Sequence, residues 1–400
     1  MFLVPDPGSY GDPTRVPHLT KAKAVPDVAA SIRALRSSDW TTRKRGVIAL
    51  GKSKSPDAVE PVIACLRDGN PYVRERTVSA LVRLGHLAVP ALIALLKDDA
   101  WYIRQKAAVV IGRIGDPDTF DSLAALLTDR NGKVRLAAAS AIAGLKHKKT
   151  LRFMLSATRH EDDAIRELAL NALGRLGGKT ASAQLVASLT DVSERCRTAA
   201  AHSLGLLKDS AVADDLLSAL KREAGPTAKG AMIRALGCLQ AKQAIRTLTT
   251  LAKADDGDYG DNWMLGQEAV FALAAIGQPA ARSLRHLIVA SSDNAASTVV
   301  AALRRFNGPW AVDLLSDLAH NPDGQTAYWA IISLGETESP KAIPPLLAAI
   351  ESGEHLTAAI WSLGNLKTPE ADAILRGLLT RTTYAGQRDA IKRALEDRGR

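Results

Sequence analysis

The chain has 400 residues, of which 46% are hydrophobic but only 4% aromatic, and it carries a formal net charge of +10. Ala and Leu supply the apolar content, which suits close-packed helices, and no run of about 18 apolar residues predicts a transmembrane helix. The charge is lopsided: residues 1–200 hold 31 Lys/Arg against 20 Asp/Glu, residues 201–400 hold 21 against 22, which points to an anionic partner for the N-terminal half.

Residues 1–25 read as an extended, Pro-rich arm. They lack the charged start and long apolar stretch of a signal peptide, and a cytoplasmic protein is expected. Cys65, Cys196 and Cys238 lie in helical patterns without metal-ligand spacing, so all three are expected to be buried thiols.

From residue 26 to 400 one pattern recurs, predicting a single solenoid. Its anchors are Leu50, Leu81, Ile111, Ile142, Leu173, Leu204, Leu236, Leu273, Leu303, Leu334, Leu363 and Leu395, spaced 29 to 32 residues apart with one interval of 37. A fixed period of this size signals a stacked repeat. Each unit holds a short apolar helix and a longer second helix, separated by Pro or Gly. The prediction is therefore all-α: about twelve helical hairpins in a right-handed solenoid, with no strands.

Counted from the anchor, position −7 of the second helix is Arg43, Arg74, Arg104, Arg135, Arg166, Arg197 and then Lys229. Seven residues make almost two turns, so this charge shares the anchor's half-buried face and needs a partner. Asp68, Asp98, Asp129, Asp191 and Glu223 stand six residues earlier, in the turn between helices. An Asp–Arg ladder is predicted, tying each turn to its own repeat or the next, with Arg104 and Asp98 as one rung.

The opposite face of the second helix carries positions −9, −5, −2 and +2. In the first three repeats these include Arg45 and Lys52, then Tyr72, Arg76 and Arg83, then Tyr102, Lys106 and Arg113, with Trp40 and Trp101 at the helix entries. Six basic residues interleaved with aromatics form a candidate surface for an acidic protein segment or for nucleic-acid phosphates. The basic character runs over 26–240; residues 241–400 are irregular, aromatic and acidic. There the same face offers Met264, Glu268 and Phe271, then Trp329, Ile332 and Glu336, then Glu354 and Trp361. These eight are expected to form one apolar patch with an acidic rim, beside an enlarged acidic loop, "KADDGDYGDNW".

Two of these stretches, "DGNPYVRERTVSALVRLG" and "LKDDAWYIRQKAAVVIGRIG", resemble HEAT repeats of the short type named after phycobilisome lyases, and the resemblance covers about 26–400. It implies that second helices line a concave surface. The family includes scaffolds, bilin lyase subunits and an iron-dependent hydroxylase, so three functions stay open. The first is a non-catalytic scaffold holding a protein partner in its groove. The second is nucleic-acid binding through the basic stripe. The third is a bilin-lyase-like enzyme with a tetrapyrrole in the C-terminal groove. The iron reading is rejected, because the chain has one His-Glu pair, His160-Glu161, where such a site needs more ligands. No catalytic, cofactor or metal set is expected, and no membrane insertion.

Overall fold

The computed structural model describes residues 27–253, 261–290, 293–306 and 308–396. The predicted N-terminal arm, most of the acidic loop and the terminal Arg398 and Arg400 lie outside them. Among the described residues there is no strand, and the α-helices fall into twelve consecutive pairs. The chain divides into two compact units after His147, well before the compositional change near residue 240.

In the first unit the short helices are α1 (Val28–Ala34), α3 (Val59–Ala64), α5 (Val89–Leu95) and α7 (Phe120–Ala124). The second helices are α2 (Trp40–Ser53), α4 (Pro71–Leu84), α6 (Trp101–Ile114) and α8 (Gly132–Gly144). In the second unit the short helices are α9 (Thr150–Ala157), α11 (Lys179–Ala187), α13 (Ala213–Arg222), α15 (Ile245–Lys253), α17 (Ala281–Ala290), α19 (Val312–Leu318), α21 (Ile343–Ser352) and α23 (Pro369–Arg381). They alternate with α10 (Asp163–Leu176), α12 (Glu194–Leu207), α14 (Pro226–Cys238), α16 (Asp261–Ile276), α18 (Asp293–Arg305), α20 (Gly324–Gly335), α22 (Leu356–Asn365) and α24 (Ala385–Glu396).

Local chemistry starts these helices. Asp39, Asn70, Asp162 and Asp323 each accept a backbone N–H in the first turn of α2, α4, α10 and α20, satisfying donors that have no intrahelical partner. Pro56, Pro117 and Pro340 open the tight turns that lead into α3, α7 and α21; a missing N–H costs nothing there. Within each unit the second helices pack side by side in one layer, and each packs on the short helix of its own pair.

Every anchor from Leu50 to Leu363 has 0% exposure, whereas Leu395, in the last helix, is half-buried. Full burial of one such side chain stabilises by about 1.5–3 kcal/mol. The residue after the anchor sets how closely the next second helix approaches. A Cβ on Gly51 would lie 2.7 Å from the Ala80 Cα, and one on Gly335 2.6 Å from the Ser362 Cα. Gly112, Gly174 and Gly237 make the same approach to Ala141, Ser203 and Ala272. Where that position is Val82, Ala274 or Arg304, the junctions α4–α6, α16–α18 and α18–α20 are the least extensive of those within a unit.

One stretch departs from the expected absence of membrane-length segments. Pro71–Leu95 is long and apolar enough to cross a membrane by composition. It comprises α4 and α5 joined at Gly85, whose φ is +62°, and its Val73, Val78, Leu81 and Leu92 are core residues.

Candidate functional site

The second helices are held by the predicted ladder, with its partners now identified. Arg43 donates through Nε and Nη2 to the two carboxylate oxygens of Asp68, at 2.7 and 2.8 Å. Arg104 grips Asp129 in the same way at 2.6 and 2.8 Å, and Arg166 grips Asp191 at 2.9 Å twice. Arg197 pairs with Glu223 at 2.6 and 2.8 Å. In each case Nη1 donates to two carbonyls of its own repeat's turn, such as Asp98 and Asp99 for Arg104. Each guanidinium therefore binds its own turn through backbone and the next repeat's turn through a carboxylate. The forked, charge-assisted geometry is the strong form of this contact.

Two rungs differ from expectation. Arg104 takes the carboxylate of Asp129, in the next repeat's turn as the other rungs do, while Asp98 in its own turn is paired with Arg67. Arg74 keeps its carbonyl contacts to Asp68 and Gly69 and has no carboxylate partner among the described residues. The Arg43 hydrogen bond holds the Asp68 carboxyl below the usual carboxylate range, and Arg104 and Arg197 do the same to Asp129 and Glu223. At Asp191, burial acts the other way, but the Arg166 and Ser193 hydrogen bonds prevail and its pKa is also lowered.

On the opposite face of the first unit, Arg45, Lys52, Tyr72, Arg76, Arg83, Tyr102, Lys106 and Arg113 are all exposed. Lys52, Arg76 and Arg83 line one hollow of about 170 Å³ between α2 and α4, floored by Ile48 and Ala80. The Tyr72 ring stacks on Trp40 with centroids 5.5 Å apart, and the Lys44 ammonium sits 4.7 Å above the Trp40 ring. One repeat on, Lys133 lies 5.2 Å over the Trp101 ring, which meets Tyr102 edge-on. Lys133 is an addition from α8 that the three-repeat reading missed; it lies one repeat beyond the stretch considered.

In the second unit part of the expected apolar patch lines one cavity. Met264, Glu268 and Phe271 line one cavity, joined by Arg234, Trp263 and Phe306. Trp329 is half-buried, with the Arg304 guanidinium 4.1 Å from its ring centroid. Trp361 is 40% exposed, and Glu336 and Glu354 are exposed, but none of these lines the cavity. Ile332 is buried at 9% exposure, contrary to its expected place on the open face. Position −2 borders the seam with the next second helix: the apolar Ile48 and Val109 there are half-buried and the charged Arg234 is exposed, so an isoleucine at 332 tucks inward.

The cysteines also divide. Cys65 and Cys196 are buried as expected, and Cys238 is exposed. Burial pushes the Cys65 thiol up to about 11 and raises that of Cys196. Cys238 stands two residues after the anchor Leu236, an open-face position, so its exposure follows from the repeat register. Among the described residues no group of His, Cys, Asp and Glu could hold a metal ion.

A HEAT-repeat family model matches residues 28–88, 59–132, 121–205 and 312–396, and the chain belongs to the HEAT-repeat family. No curated protein matches it in sequence. Among solved structures, importin-β is similar over 92% of this chain and 65% of its own, with TM-score 0.58 and 11% identity. Yeast importin-β (Kap95p) is similar over 92% of this chain with TM-score 0.53 and 13% identity, and this chain spans 59% of that protein. The CpcE–CpcF complex of phycocyanin lyase from Nostoc aligns over 55% of this chain and 92% of its own at 24% identity, with TM-score 0.32. At these identities the likeness to importin-β is one of fold, a helical solenoid.

Proposed function

We propose that this HEAT-repeat protein is a non-catalytic scaffold whose first unit holds an acidic segment of a protein partner on its second-helix face. The observation that carries the reading is the exposure of all eight stripe residues, with Lys52, Arg76 and Arg83 gathered around one hollow. Their charge is not consumed by the fold, since the ladder on the other face uses a separate set of arginines. Exposed Arg beside Tyr and Trp is the residue chemistry of interface anchors. The first unit's sequence, residues 1–147, holds 22 Lys/Arg against 14 Asp/Glu, which steers acidic partners to it.

The test is pull-down from the native host with the intact protein and with Arg76→Glu/Arg113→Glu, with and without nuclease. Capture of a protein that survives nuclease and is lost in the double variant supports the reading. Capture that depends on nucleic acid, with affinity falling steeply as salt rises, would replace it with the nucleic-acid reading. A coloured complex formed with bilin would favour the lyase-like reading.

A further inference from the structure

The cavity in the second unit lies on the open face where α14, α16 and the end of α18 meet, and encloses about 360 Å³. That is at the lower end of the roughly 300–1,000 Å³ of small-molecule sites, room for one bicyclic ring with a short acid chain. Its position has a physical origin. Gly237 brings α14 against Ala272 of α16, while Ala274 after the next anchor leaves α18 less closely packed on α16.

The lining combines two chemistries. Trp263, Met264, Phe271 and Phe306 supply apolar and aromatic wall. At the rim, Arg234 donates to Glu268 at 2.6 Å, so those charges answer each other. Arg305 also lines the cavity, its guanidinium 5.7 Å from the Phe306 ring centroid. Among the described residues Arg305 has no carboxylate partner, so its guanidinium is the lining charge not answered within that set. Met264 is 61% exposed, and an unbranched thioether can fold onto a ring of varied shape.

We propose that this cavity is a small-molecule site for an aromatic carboxylate, its ring against Trp263, Met264, Phe271 and Phe306 and its carboxylate on Arg305. An aromatic ring gains from burial against aromatic walls, and a guanidinium offers a carboxylate a forked, charge-assisted contact. The site is in a different unit from the basic stripe and stands whether or not that stripe binds a protein.

Cys238 makes the site measurable. It lines the cavity and is the exposed thiol of the three. The experiment follows N-ethylmaleimide labelling of Cys238 in the full-length protein by peptide mass, with naphthaleneacetate as the probe and naphthalene-ethanol as its neutral counterpart. The expected result is saturable protection by the acid, about tenfold weaker protection by the alcohol, and loss of that difference in Arg305→Gln. Arg305 is exposed, so this variant should fold as the parent does, which circular dichroism checks. Phe271→Ala should weaken both probes alike. Absence of protection by either probe, equal protection by both, or a preference for the acid that survives Arg305→Gln would each overturn the proposal.

Discussion

Arg104 has 6% exposure yet carries a full charge. Such a residue persists because four of the five donors on its fork are used. Removing it strands the Asp129 carboxylate and two turn carbonyls, so Arg104→Ala should lower stability by about 1–3 kcal/mol in urea unfolding. Arg104→Lys should recover only part of the loss, since an ammonium cannot span both carboxylate oxygens. Arg74→Ala is the internal comparison: it lacks the carboxylate rung and should cost less. The ladder also sets an acid limit. Asp68, Asp129, Asp191 and Glu223 have folded pKa values below their unfolded ones. Their contribution is therefore fully present above the unfolded values of about 4 and is lost as pH falls through the lower folded values. The melting temperature should hold flat from pH 8 to 5 and drop below about 4. A midpoint independent of pH down to 2 would contradict the ladder's role.

Among elements, the second helices are spaced by single glycines. At Gly335 a Cβ would meet the Ser362 Cα at 2.6 Å, a backbone atom that cannot swing away. Gly335→Ala should therefore push α20 and α22 apart and cost about 1–3 kcal/mol as overpacking, although alanine is the better helix former. Gly144, at the end of α8, meets nothing within 4 Å, and Gly144→Ala should be neutral or stabilising. Equal effects at the two glycines in thermal unfolding would refute the spacing account. The periodicity misplaced Ile332 because position −2 lies at the edge of the open face, where the side chain decides: Arg234 reaches solvent, Ile48 and Val109 are half-buried and Ile332 is buried. Cys238, expected to be buried, is exposed because its position two residues after the anchor is an open-face one, a register signal that the reading of the three cysteines passed over.

For the whole molecule, stacked repeats fold through contacts between neighbours, and charge is carried unevenly along the array. Residues 148–400 hold 30 Lys/Arg against 28 Asp/Glu, nearly neutral beside the first unit. Binding of an acidic polypeptide such as polyglutamate should therefore map to the first unit, weaken as salt rises, and fall several-fold in Arg76→Glu/Arg113→Glu with the melting temperature unchanged. Hydrogen exchange with and without polyglutamate would locate it. Protection confined to the second unit would defeat the prediction. The connection between the units carries Lys146, Lys148 and Lys149, all exposed and outside helix. Trypsin at low ratio is expected to cut there first, because exposed non-helical backbone is the preferred substrate of nicking.

By itself the sequence determined the repeat, the all-α class, the twelve helical pairs and the anchors that fill the core. All of these follow from apolar residues recurring at helical spacing, a signal carried within each thirty-residue unit and repeated down the chain. It also determined that the buried arginines need carboxylates, because a charge without a partner cannot be left in a core. Tertiary structure alone decided which carboxylate each arginine takes. Stacking sets each arginine beside the next repeat's turn, so Arg104 takes Asp129, and Arg67 holds the Asp98 that stands one repeat on from Arg74. It alone decided that Met264, Glu268 and Phe271 share a cavity with Arg234 and Phe306 while Trp329 and Trp361 stand outside it. Periodicity specifies the face of a helix that a residue occupies. The distance to the next helix depends on the residues at the junction, a glycine at one and an alanine or arginine at another, and how neighbouring helices then enclose an open-face side chain is not carried by the period of any single helix.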